Sequence, residues 1–89
     1  MAQVSVVVNG RLFQLECEEG GQEQLKNLSA YLNQKIDELK KNYPQEKDEQ
    51  LLVIASLMIT DEFFDTREAL ANVLSKLNMA SEESVRTDA

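Results

Sequence analysis

The chain contains no histidine and a single cysteine, Cys17, among its 89 residues. One cysteine cannot form an internal disulfide or a CxxC site, and without histidine or a cysteine cluster we expect no zinc or iron site. The sequence also lacks a Gly-rich phosphate-binding loop, and no histidine is present to activate Cys17 as a nucleophile. The composition therefore argues against an enzyme, a metal and a cofactor, and Cys17 is expected to pack.

Long apolar runs and excess positive charge are absent as well. No apolar run reaches the roughly 20 residues that cross a bilayer, and we expect no signal peptide. The net charge is −7, and the part from Gln45 onward carries 4 basic and 10 acidic residues. Because an acidic chain repels nucleic acid and anionic lipid, neither is expected as a partner. We expect a cytoplasmic protein.

Glycine and proline are scarce, with 3 and 1 residues, and they mark the ends of the predicted elements. Asn9-Gly10 between alternating apolar residues predicts a hairpin with a type I′ turn. Gly20-Gly21 ends the second strand, and Pro44 ends the first helix because the residue before a proline disfavours the α region. The predicted elements are a hairpin over Val4–Cys17, a helix over Gln22–Asn42 and a second helix from about Asp48 to Met79.

The hairpin and the first helix each present an apolar face. A two-residue loop pairs Val8 with Arg11, and the alternation then places paired residues on a common face. The predicted core face of the hairpin comprises Val4, Val6, Phe13, Leu15 and Cys17. The apolar stripe of the first helix comprises Leu25, Leu28, Leu32, Ile36 and Leu39, with Tyr31 beside it. We expect these two faces to pack together.

The second helix, with Asp48 as its expected N-cap, is apolar over more than one face in its first half. Its second half narrows to a heptad seam, which predicts a dimeric coiled coil. The heptad positions are Leu52, Ser56, Ile59, Phe63, Thr66, Leu70, Val73 and Leu77. Adjacent residues point about 100° apart on a helix, so Phe63 is expected to pack across the dimer seam and Phe64 on the first helix of the same chain.

These patterns predict an α+β protein in which a β-hairpin packed on a helix precedes a long dimerisation helix. The predicted organisation is a small head over residues 1–46, the dimerisation helix over 47–80 and a disordered tail over 81–89. An acidic cluster of Asp61, Glu62 and Asp65 lies on the long helix. We interpret it as a solvated helix face rather than a metal site.

Three segments in this order and spacing resemble the ZapA family of bacterial cell division proteins. They are VSVVVNGRLFQLEC, LSAYLNQKIDELKK and EQLLVIASLMITDEF, and the resemblance covers about Val4 to Leu77. It implies a hairpin–helix head and dimerisation through the long helix, with dimers pairing into antiparallel tetramers in longer members. It also implies binding to the tubulin-like GTPase FtsZ, cross-linking of FtsZ protofilaments and stabilisation of the Z-ring at midcell.

The same resemblance assigns candidate site residues. The charged head positions that the family uses toward FtsZ fall on Arg11, Lys40 and Glu49. The sequence departs from some relatives at Gln14 and Pro44, where those relatives carry a basic residue, so a less basic surface is expected here. The dimer seam residues are Leu52, Ile59, Phe63, Leu70, Val73 and Leu77.

Two other functions are compatible with parts of the sequence. One is a dimeric coiled-coil adaptor for another cytoplasmic protein, which shares the seam but not FtsZ binding. The other is a small enzyme or redox protein that uses Cys17. Arg11 itself is either a turn residue kept in solvent or a charged contact for a partner, since arginine is enriched at interfaces.

Overall fold

A computed structural model describes residues 1–88, with side chains for residues 1–78. The chain forms strand β1 over Ala2–Val8, strand β2 over Arg11–Cys17, helix α1 over Gln22–Asn42 and helix α2 over Asp48–Asp88. The predicted hairpin followed by two helices is confirmed, and the coiled-coil dimer stays a prediction. Helix α2 ends beyond Met79, since no glycine or proline follows to stop it. The predicted disordered tail, residues 81–89, lies outside the residues with described side chains.

The hairpin has the predicted register. Strands β1 and β2 are antiparallel, with pairs running from Ala2 opposite Cys17 to Val8 opposite Arg11. The loop residues Asn9 and Gly10 have φ angles of 52° and 77°. Positive φ at both loop residues is the requirement of a type I′ turn, which matches the right-handed twist of the strands. The Asn-Gly pair therefore determined both the position and the type of the turn.

The core lies where the second half of α1 meets the start of α2. Ile36 and Leu39 of α1 are buried against Leu51 and Ala55 of α2, and Ala55 has no exposed area. Four partly buried side chains surround this cluster: Val8, Leu32, Ile54 and Met58. Removal of this apolar area from water, at roughly 25 cal/mol per Å², holds the two helices together.

The predicted core face of the hairpin is buried only on β1. Val4 and Val6 are each 6% exposed, but Phe13 and Leu15 on β2 are 43% and 41% exposed, so their predicted burial is wrong. Helix α1 packs against β1. Because neighbouring strands lie about 4.8 Å apart, a single helix placed over β1 leaves the outer flank of β2 uncovered.

The apolar stripe of α1 is likewise buried only in part. Ile36 and Leu39 are buried and Leu25 is partly buried, but Leu28 is 55% exposed, which corrects the predicted burial of the whole stripe. The reason is the position of α2, whose buried residues Leu51 and Ala55 contact the C-terminal half of α1. Periodicity identifies an apolar face, but it does not show how much of that face another element reaches.

The helix ends agree with the predicted capping residues except at the start of α2. The Tyr43 N–H donates to the Leu39 carbonyl at 2.7 Å and closes α1 just before Pro44. At the start of α2 the Lys47 carbonyl accepts a hydrogen bond from the Leu51 N–H at 3.0 Å, so Lys47 and not Asp48 occupies the cap position. Asp48 lies in the first turn instead, where a carboxylate interacts favourably with the helix dipole.

The chain divides into two compact units, residues 1–58 and residues 59–89. The first contains the hairpin, α1 and the first turns of α2, and the second contains the rest of α2. The division falls inside α2. The domain boundaries expected after residues 46 and 80 stay predictions.

Leu39→Ala and Leu28→Ala compare the same substitution at a buried and an exposed position of α1. We expect Leu39→Ala to lower the free energy of unfolding by about 2–5 kcal/mol, because Leu39 is 4% exposed and its removal leaves a cavity. Leu28→Ala is expected to change it by no more than about 0.5 kcal/mol. Urea denaturation followed by circular dichroism at one protein concentration measures both, and equal losses would show that the core is misassigned.

Candidate protein-interaction surfaces

A small cleft lies at the tip of the hairpin and brings two of the three charged candidate positions together. It has a volume of about 90 Å³, and Arg11 and Glu49 both line it. The other lining residues are Val8, Asn9, Phe13, Asp48 and Leu52. Apolar side chains and a rim of opposite charges thus share one surface, which arises because the first turn of α2 lies beside the turn of the hairpin.

The charges at this cleft are available to a partner. Arg11, Asp48 and Glu49 are all exposed. Among the residues with described side chains, no ion pair joins Arg11 to either carboxylate. An arginine with an unpaired guanidinium beside apolar side chains provides both directional hydrogen bonds and contact area, which is the combination common at protein interfaces.

Lys40, the third charged position, is placed elsewhere. It is exposed in the last turn of α1, next to Lys41, and it does not line the cleft. Cations at the C-terminal end of a helix are stabilised by the helix dipole, so both lysines also have a local structural role. The structure therefore groups Arg11 with Glu49 and leaves Lys40 as a separate positive charge.

Asn33 of α1 ties the hairpin tip to the helix. Its side-chain Oδ1 accepts a hydrogen bond from the Asn9 N–H at 2.9 Å, and its Nδ2 donates to the Val7 carbonyl at 2.7 Å. Sequence reasoning assigned no role to Asn33. A signal was present, because this polar residue directly follows Leu32 of the apolar stripe, at the edge of the face that contacts the hairpin.

Strand β2 presents apolar side chains on both faces of the hairpin. Phe13 and Leu15 are exposed on one face, and on the other Leu12 is 65% exposed with Val7 of β1 at 49%. Exposed apolar side chains that lie next to one another form a patch rather than scattered residues, and such patches are typical of interaction surfaces.

Within residues 1–58, the first turns of α2 also carry exposed apolar side chains. Leu52, the first seam residue, is 43% exposed and lines the cleft, while Val53 and Leu57 are 53% and 64% exposed. Only Leu51 and Ala55 of this segment are buried in the core. The segment therefore uses one face within its own chain and leaves Leu52, Val53 and Leu57 largely uncovered.

Within residues 59–89, the remaining seam positions are also largely uncovered. Ile59 is partly buried, and the other four are more than half exposed: Phe63 58%, Leu70 55%, Val73 54% and Leu77 58%. Leu74, outside the seam, is 48% exposed. A helix with apolar side chains recurring three and four residues apart, most of them in solvent, has the pattern that packs against a second helix.

Phe63, Phe64 and Arg67 form an aromatic cluster on α2. The two rings meet edge to face with centroids 5.7 Å apart, and the Arg67 guanidinium lies 5.9 Å from the Phe63 centroid and 5.1 Å from that of Phe64. Phe64, which we expected to pack on α1, is 52% exposed and makes these contacts along its own helix. An arginine over aromatic faces gains roughly 0.5–1 kcal/mol at an exposed site.

Cys17 and the acidic cluster around Asp61 are the candidate nucleophile and the candidate metal ligands. Cys17 is a free thiol and is partly buried at the end of β2. Over the described part of the chain, no group of acidic or thiol side chains is arranged to hold a metal ion, the cluster around Asp61 included. Within the same residues, neither helix combines the length and hydropathy of a membrane span.

These features define a small α+β protein in which a hairpin–helix unit precedes a long helix, and in which one chain leaves much of its apolar surface uncovered. The family model described as "Cell division protein ZapA" matches residues 4–87. The match covers nearly the whole chain, so the protein belongs to the ZapA family of cell division proteins. This confirms the resemblance seen in the sequence.

Two individual proteins are similar to this chain, one in structure and one in sequence. A solved structure of an unknown conserved bacterial protein from Pseudomonas aeruginosa PAO1 superposes with a TM-score of 0.76, covering 99% of this chain and 98% of that one. At 20% identity this likeness concerns the fold. An uncharacterized protein of Rickettsia prowazekii (strain Madrid E) is 42% identical over 57 residues. That alignment spans 64% of this chain and 54% of the relative, so the chain matches about half the relative's length.

Proposed function

We propose that this protein binds FtsZ at the division site and cross-links FtsZ protofilaments, which stabilises the Z-ring. Membership of the ZapA family supports a role in cell division. The observation that carries the proposal further is the cleft at the hairpin tip. Arg11 and Glu49 are 38 positions apart in the sequence, yet they line one surface.

The proposed contact with FtsZ is centred on this cleft. Arg11 and Glu49 supply one charge of each sign on this surface. Opposite charges side by side favour one orientation of a partner and penalise others, which gives specificity as well as attraction. Lys40 adds a positive charge away from the cleft, where it contributes mainly to the rate of encounter.

We further propose that two chains associate along α2 through Leu52, Ile59, Phe63, Leu70, Val73 and Leu77. Five of these six side chains are exposed in the single chain, and Ile59 is partly buried. A chain of 89 residues has a small core, so association of two copies is a natural source of further apolar burial. We expect α2 of the partner copy also to cover the exposed face of Phe13 and Leu15.

Association of two copies supplies the cross-linking mechanism. A single copy has one hairpin–helix unit and can hold one FtsZ subunit, whereas a dimer carries two such units joined through α2. Binding by the second unit is then intramolecular, and its effective concentration raises the avidity for a pair of protofilaments. Pairing of dimers into tetramers doubles the number of units again. No catalytic group or cofactor is required for this activity.

Phe63→Glu tests the seam, with Phe64→Glu as the matched control. Both phenylalanines are exposed to a similar extent and both contact Arg67, but only Phe63 lies at a seam position. A charge from each copy at a dimer seam is expected to weaken association at least about 100-fold, which corresponds to about 3 kcal/mol. Phe64→Glu is expected to remain dimeric.

Light scattering coupled to size exclusion, over a range of concentrations, measures both variants against a chain mass of 10.1 kDa. A folded Phe63→Glu dimer would mean that the seam is misplaced. A wild-type monomer at every concentration would remove the cross-linking mechanism altogether.

Arg11→Glu tests the contact with FtsZ, with Lys26→Glu as the control of equal charge change. Lys26 is exposed on α1 and does not line the cleft. We expect Arg11→Glu to remain folded and to bind FtsZ at least about tenfold more weakly, because it places a like charge beside Glu49 and removes the guanidinium.

Co-sedimentation with polymerised FtsZ measures the binding of both variants. Lys26→Glu is expected to co-sediment like the wild type. If Arg11→Glu does so too, the contact lies elsewhere on the protein. If the wild type is a dimer that does not co-sediment, the protein is an adaptor for a different partner.

A further inference from the structure

We propose that Asn33 is a positioning residue for the hairpin tip: its side-chain amide fixes the Asn9-Gly10 turn and thereby sets the position of Arg11 for partner binding. The inference rests on the proposed function as far as FtsZ is concerned. It starts from the two hydrogen bonds of Asn33, in which the Asn9 N–H donates to Oδ1 at 2.9 Å and Nδ2 donates to the Val7 carbonyl at 2.7 Å.

The hairpin register explains why these two backbone groups are available to a side chain. In a two-residue hairpin the pair that closes the loop, Val8 and Arg11, is the hydrogen-bonded kind, so the next pair, Val7 and Leu12, is not. The C=O of Val7 therefore points away from β2, at the free edge of β1. The Asn9 N–H points to the same side, because it is trans to the Val8 carbonyl, which faces Arg11. Asn33 presents one acceptor and one donor to this edge, as the peptide group of a third strand would.

The turn has few other ties to the rest of the protein. Asn9 and Gly10 both adopt left-handed backbone conformations, and a side-chain carbon placed on Gly10 would meet nothing within 4 Å. Val8 packs at the margin of the core, which holds the end of β1. Beyond Val8, the turn is joined to α1 by the hydrogen bond between Asn9 and Asn33.

The position of the turn determines the position of Arg11. Arg11 is the first residue after the turn, and Val8, Asn9 and Arg11 all line the cleft with Glu49. A hairpin tip free to move relative to α1 would also move Arg11 relative to Glu49, which lies on α2. A partner would then bear the entropic cost of ordering the tip when it binds, and preorganisation by Asn33 removes that cost.

Asn33→Ala removes both hydrogen bonds, and Asn27→Ala is the matched control. Asn27 is an exposed asparagine on the same helix, and it makes neither of these contacts. We expect Asn33→Ala to speed hydrogen exchange of the Asn9 amide about fivefold, the factor that corresponds to one hydrogen bond of about 1 kcal/mol. Asn27→Ala is expected to leave this rate unchanged. If Asn33→Ala does not fold, Asn33→Leu takes its place, since it removes both hydrogen bonds and keeps a side chain of similar size.

A double-mutant cycle with Arg11→Ala separates positioning from a general structural role. Asn33→Ala is expected to weaken co-sedimentation with FtsZ several-fold in the wild-type background and to have no further effect in the Arg11→Ala background. A similar loss in both backgrounds would overturn the inference, because Asn33 would then act independently of Arg11. An unchanged exchange rate of the Asn9 amide would overturn it as well.

The exchange experiment contains no FtsZ, so the two proposals fail in different ways. If the wild-type protein does not bind FtsZ, the proposed function is wrong and the exchange rate alone decides whether Asn33 fixes the turn. If the wild type binds and Arg11→Ala weakens binding, but Asn33→Ala binds like the wild type, the proposed function stands and the role of Asn33 is overturned.

Discussion

The contact between the end of α1 and the start of α2 is the interaction on which the rest of the structure depends. Ile36 and Leu39 pack on Leu51 and Ala55, and these four side chains form the core cluster that joins the two helices. This contact brings the first turn of α2 beside the hairpin tip, where Glu49 and Arg11 line one cleft. Arg11 lies on β2 and Glu49 on α2, so this contact is what brings the two charges to one surface.

The same contact buries only part of the apolar surface of the chain. Along α2, the seam residues stay largely in solvent, and on the hairpin the side chains of Phe13 and Leu15 are uncovered. Burial of apolar area is the main favourable term in folding and in association. Apolar surface that folding leaves exposed can therefore be buried when copies associate. The surplus is distributed over two kinds of surface, a helical seam and a sheet face, and both fit association between copies.

The sequence and the structure agree most closely where a local signal has a single physical outcome. Asn9-Gly10 admits a type I′ turn and fixes the hairpin register. Pro44 directly follows Tyr43, the C-cap residue, and so ends α1 at Asn42. They disagree where the outcome depends on a distant element. Leu28 has the spacing of a core residue and Phe13 the parity of one, yet both are exposed, because no element within the described residues covers them.

The sequence by itself therefore determined the order of the elements, the turn, the apolar faces and the family, since these depend on residues close together or on their linear pattern. The tertiary structure alone decided which part of each apolar face is buried, that Arg11 and Glu49 share a cleft, and that Asn33 holds the Asn9 N–H and the Val7 carbonyl. The physical reason is that burial and side-chain hydrogen bonds depend on the relative placement of elements. Local spacing shows that a face is apolar or that an amide has unused donors and acceptors, but not what lies opposite.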